Sequence, residues 1–156
     1  MERTISVTIG NGCLKHNNRV FVQRDLRGIY HELFDEAVEE YNAKQKRKDR
    51  IIQDYYNKIK DGHQEHLFTE VIVQIGNMKD SNCMMEETAV VRQILEEYMR
   101  GFEGRNPSLW VFNAVLHMDE QTPHLHIDFV PFSEGNKRGI STKVSLKGAM
   151  KALGFA

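Results

Sequence analysis

Apolar and polar residues alternate over positions 4–9, which places Ile5, Val7 and Ile9 on one face of a strand. Gly10, Asn11 and Gly12 end it, and residues 13–23 read as irregular chain or a short strand. From Gly28 the period lengthens. Tyr30, Leu33, Phe34, Ala37, Val38 and Tyr41 recur every three or four positions, one apolar face of a helix. Ile52, Tyr55, Tyr56 and Ile59 predict a second helix, facing inward and ending near Gly62. Residues 67–75 are rich in β-branched types and predict a strand, followed by a loop at 76–82. Helical spacing returns over 86–102, through Val90, Val91, Ile94, Leu95, Tyr98, Met99 and Phe102, and Gly104, Asn106 and Pro107 close that helix. Residues 109–117 and 124–130 read as two strands joined by a connection short enough for a hairpin, with Pro131 expected to stop the second. GNKRGIS reads as a loop, and 144–153 as a last helix with Leu146, Met150 and Leu153 inward. This order predicts an α+β fold, an antiparallel sheet flanked by helices.

With 156 residues the chain is expected to form one domain spanning 1–156. Little follows the last helix, so the domain reads as cut from a longer protein. No apolar run approaches the roughly 18 residues of a membrane span. The N-terminus lacks the apolar core of a secretory signal. Cys13 and Cys83 form no metal-binding pair and read as reduced thiols, so a cytoplasmic location is expected. The net charge of −1 counts against a dedicated nucleic-acid binder. The charge is uneven, however. Acid gathers at 32–40, while base gathers at Lys44, Lys46, Arg47, Lys48 and Arg50 and again at Lys137, Arg138, Lys143, Lys147 and Lys151. Such runs are commonly solvated faces, yet local basic faces also track a phosphate backbone.

The segment HMDEQTPHLHIDFVP at 117–131 carries the chemistry. His124 and His126, two apart on a strand, point to one face, and Leu125, Ile127 and Phe129 to the other. A hairpin through 118–123 brings His117 opposite His124, with Asp119 and Glu120 in the turn. A lone strand histidine is usually a satisfied or surface imidazole. Three converging on one patch are a ligand set that suits manganese, cobalt, nickel or zinc, whereas magnesium prefers oxygen. Three protein ligands leave coordination positions open, as catalysis requires. Asp128, on the same face, either holds a ligand imidazole in its tautomer or pairs with a basic side chain.

The series His117, Asp119, Glu120, Pro123, His124 and His126 resembles the Mob/Pre family of plasmid mobilisation and recombination proteins, also called MobV relaxases. So do His16-Asn17-Asn18-Arg19, the family's H-N-x-R motif, and the stretch YNAKQKRKDR at 41–50. The resemblance runs from about Met1 to Phe155. It implies an endonuclease of the HUH type (two histidines flanking an apolar residue), here His124-Leu125-His126. Such an enzyme nicks one strand at a plasmid transfer origin and stays attached to the 5′ end. It further implies a divalent metal, manganese foremost, on His117, His124 and His126, and His16 as nucleophile. The bacterial cytoplasm is the implied location. Relatives continue into a helical region that supports dimers and DNA affinity, so a homodimer is expected to need chain beyond Ala156. The chain departs from the family in having only about ten residues between Arg19 and Tyr30.

A neutral imidazole is a competent nucleophile, and His16 attacking a phosphodiester conserves the bond for later rejoining. Glu120 is expected to orient His16 or take its proton, and Arg19 to hold a phosphate oxygen. Arg19, Lys46, Arg47, Lys48, Lys137, Arg138 and Lys143 are the candidate DNA contacts. The last three belong to a loop region that follows the histidines and is expected to lie near any bound strand. The Tyr55-Tyr56 pair, which resembles the paired tyrosines of replication initiators, is the rival nucleophile. Two other classes remain open. One is a metallohydrolase of small phosphoesters or amides using the same histidines; the other is a metal-stapled DNA-binding module without catalysis.

Overall fold

The computed structural model describes residues 8–9, 18–76, 85–118 and 123–155. The expected strand residues 4–7, the loop at 10–12, His16, Asn17, Asp119 and Glu120 lie outside them.

The architecture is mixed α and β. Strands β1 (Thr8–Ile9), β2 (Arg19–Gln23), β4 (Leu109–His117), β5 (His124–Ser133) and β3 (Thr69–Gln74) hydrogen-bond in that order, and β6 (Lys143–Val144) adds to β5. The β1–β2, β2–β4 and β5–β6 pairs are antiparallel. Helices α1 (Leu26–Ala43), α2 (Tyr55–Asp61), α3 (Met85–Arg100), α4 (Phe102–Arg105) and α5 (Leu146–Ala152) complete the chain. It gathers into two compact units, one from 1–23, 70–106 and 111–129, the other from 24–69, 107–110 and 130–156.

In the first unit, alternation along β4 and β5 buries Leu116, Leu125 and Ile127 on one face and leaves His117, His124 and His126 half-buried on the other. A bulge between Val20 and Val22 shifts the register of β2 on β4, where Arg19 lies opposite Leu116. Among the described residues, Leu95, Met99 and Phe102 are the buried apolar side chains of α3 and α4, and the Phe102 ring lies 6.1 Å from that of Phe129. The helical spacing at 86–102 marked a wider apolar surface than the fold covers. Val90, Ile94 and Tyr98, one turn apart, stay 56%, 47% and 37% exposed.

In the second unit, Asp25 caps α1 by accepting from the Gly28 N–H at 2.7 Å, so the helix begins two residues before Gly28. Its buried face holds Tyr30, Phe34 and Ala37, as the spacing predicts, and adds Ile29. Asp54 caps α2 through the Asn57 N–H at 2.9 Å. The second helix is therefore shorter than expected. Ile52 precedes it, held by a two-way hydrogen bond to the Asn42 side chain at 2.8 and 2.9 Å. Tyr30, Phe34, Tyr55 and Tyr56 pack edge to face or tilted, with ring centroids 4.9–6.0 Å apart. Leu146 of α5 is 40% exposed, contrary to the inward position expected, and Ala149 is the buried residue instead. A Cβ on Gly148 would lie 2.7 Å from Ser133 Cβ, so α5 approaches the strand as closely as a bare backbone allows.

Pro131 does not stop β5. A proline cannot donate to a ladder, but here the bonds are made by its neighbours and its carbonyl. Phe132 N–H donates to Ser108 O and Ser145 N–H donates to Pro131 O, both at 3.0 Å. The strand runs on to Ser133.

Candidate functional site

β4 ends on His117 and β5 begins on His124, and the three imidazoles gather as the alternation predicts. The His117 ring centroid lies 5.3 Å from that of His124 and 4.7 Å from that of His126, and the latter two are 4.9 Å apart. The His117 and His124 planes stack at 18°. Stacked rings present faces rather than nitrogens to each other. Accordingly, no three His, Cys, Asp or Glu side chains among the described residues are arranged to hold a metal ion as they stand. Rotation about the side-chain torsions would be needed to turn the nitrogens to a common point.

Carboxylates stand behind the imidazoles. His126 Nδ1 lies 3.2 Å from Glu70 Oε2, the contact through which a carboxylate holds an Nδ1–H and turns Nε2 outward. Asp128, 9% exposed, accepts from Asn113 Nδ2 at 2.7 Å. Burial pushes the Asp128 carboxyl above its usual range, and the neighbouring Glu70 carboxylate adds to the rise against the opposing Asn113 hydrogen bond. Glu70 and Asn113 were not singled out by sequence. Glu70 sits 56 residues from His126 and reads as an ordinary exposed strand residue.

Arg19 is engaged within the protein. It lies opposite Leu116, on the buried face of β4 and away from the histidines. There its guanidinium pairs with Glu96 of α3 and stands 5.7 Å from the Phe21 ring centroid. Arg92 Nε donates to the same Glu96 oxygen at 2.8 Å, and Arg100 is 3.9 Å from the other.

The tyrosine pair is built into the aromatic cluster. The Tyr55 hydroxyl accepts from the Val144 N–H at 3.1 Å, and burial pushes its pKa up to about 12. Tyr56 carries the Arg27 guanidinium 4.2 Å above its ring. The Tyr55 hydroxyl, so engaged and so reluctant to ionise, is a poor nucleophile. Lys46, Lys48, Lys137 and Arg138 are exposed and Lys143 is half-buried, while Arg47 is held by Asp49 through two hydrogen bonds at 2.6 and 3.0 Å. Among the described residues no helix is long and apolar enough to cross a membrane.

The profile of a family described as plasmid recombination enzyme, Mob/Pre, matches residues 5–153 of the 156. No curated protein and no solved structure matches the chain.

Proposed function

The chain belongs to the Mob/Pre family of plasmid recombination enzymes, and from that premise we propose that it is a relaxase, nicking one strand at a plasmid transfer origin and holding the 5′ end covalently. The observation that carries the reading is the gathering of His117, His124 and His126 at 4.7–5.3 Å, backed by Glu70 on His126 Nδ1.

The donor chemistry fits a divalent transition ion. Three imidazoles suit manganese or its neighbours, and a carboxylate behind one of them sets its tautomer. His117, His124 and His126 would hold the ion, which when bound supplies positive charge that polarises the phosphate. The chain's own residues do the rest. A neutral His16 nitrogen attacks phosphorus, forming an N–P bond as the P–O3′ bond breaks and the departing 3′ oxygen takes up a proton. Glu120 orients His16 and receives the proton its ring loses. The phosphoramidate keeps the energy of the broken bond, so a 3′ hydroxyl can reverse the step and reseal the strand. Arg19 anchors α3 to the sheet through Glu96.

The test is supercoiled plasmid carrying the chain's own transfer origin, incubated with manganese and resolved after protease treatment. Nicked circles are expected with manganese and not with chelator, and His124→Ala/His126→Ala is expected to abolish them. Nicking at the wild-type rate by that double variant would overturn the histidine site.

A further inference from the structure

Residues 131–156 carry five bases and one acid, in a chain whose net charge is −1. Three of the bases, Lys143, Lys147 and Lys151, line one cleft of about 850 Å³ in the second unit. Lys143 comes from β6, and Lys147 and Lys151 stand one turn apart on α5. None of the three has an ion-pair partner among the described residues. Glu134 is the one carboxylate lining the cleft, and Pro107 and Phe132 add apolar side chains to the lining. The close approach at Gly148 fixes the wall that bears the lysines. A second cleft in the same unit, about 620 Å³, sets Asp49, Asp54 and Asp61 against Arg50 and Lys58 and has no such excess of base.

Unpaired ammonium groups along one wall repel each other, a cost that is relieved when a polyanion displaces their counterions. Lysines beside apolar side chains match a sugar–phosphate backbone, with phosphates on the lysines and sugars against Pro107 and Phe132. We propose that this cleft binds the backbone of a DNA strand, through residues other than the histidines. The proposal rests on the DNA-acting reading above and names where the second unit holds the strand.

The experiment is fluorescence anisotropy of the full chain with a labelled single-stranded oligonucleotide of mixed sequence, titrated over a range of salt. Chelator is present throughout, so that binding does not depend on metal. Lys147→Ala/Lys151→Ala removes two exposed side chains, and Lys58→Ala/Lys60→Ala removes the same charge from α2. The cleft variant is expected to bind roughly tenfold more weakly at low salt, with the slope of log K against log salt shallower by about 1.4, about 0.7 for each phosphate no longer neutralised. The α2 variant should stay near wild type. Equal losses in both variants, no loss in the cleft variant, or no DNA binding by wild type would each overturn the proposal. The nicking test separates the two readings: a cleft effect without nicking keeps the cleft and removes the relaxase, and nicking without a cleft effect does the reverse.

Discussion

Glu96 is where the first unit is most exposed to a single change. Its side chain is 11% exposed and Arg19's is 19%, and Arg92 donates to the oxygen they share. Removing one partner of a fully buried pair costs about 3–5 kcal/mol, because the other charge stays buried alone. Partial solvent access at both residues reduces the expectation for Glu96→Ala to about 2–3 kcal/mol. At about 2–4 °C per kcal/mol for a chain this long, the melting temperature should fall by about 4–12 °C. Urea unfolding measures the loss directly. The pair Arg19→Met/Glu96→Leu, apolar and of similar volume, should recover most of it. The pH dependence has a definite sign. Burial alone would raise the Glu96 carboxyl, but hydrogen bonds from Arg92 and Arg19 outweigh it and hold the group below its usual range. A depressed carboxylate stabilises above its unfolded pKa, and the contribution vanishes as pH falls through the folded one. The gap between wild type and Glu96→Gln should therefore be full near neutral pH and close in acid. A Glu96→Ala loss below about 0.5 kcal/mol would refute the anchor, since surface changes fall in that range.

Three further outcomes are expected. Asp25→Ala removes the cap on Gly28 N–H and should cost about 1 kcal/mol by thermal melting, while Asp25→Asn should keep most of it. Gly148→Ala places a Cβ 2.7 Å from Ser133 Cβ and should cost about 1–3 kcal/mol in urea, with Gly148→Ala/Ser133→Gly recovering part. Glu70→Ala should weaken manganese binding by about 10- to 100-fold in calorimetry, because the His126 tautomer is no longer fixed; an unchanged affinity would remove Glu70 from the site.

Much of this was legible in the residues themselves. The α1 face, both long strands and the side of the sheet carrying His117, His124 and His126 follow from local periodicity, and a strand's alternation admits no other side. What periodicity could not supply was which partner a surface finds. The apolar positions of α3 outnumber those that become buried, so Leu95 and Met99 went inside while Ile94 and Tyr98 did not. The motif around Arg19 is visible in the sequence, but its side of β2 is set by pairing with Leu116, 97 positions on. Pro131 read as a terminator because a missing N–H is visible in sequence, whereas the bonds from Phe132 and Ser145 that bypass it are not. Glu70 is one acid among 22 Asp and Glu residues until the fold sets it against His126.

The relaxase reading turns on whether this chain joins itself to DNA through His16. Mass spectrometry of the denatured product formed from protein, manganese and a single-stranded oligonucleotide of its transfer origin measures that directly. The expected product is a chelator-sensitive adduct whose peptide carries a 5′ phosphate on His16, absent from His16→Ala. An adduct on Tyr55 or Tyr56, or one formed at the wild-type level by His16→Ala, would contradict it.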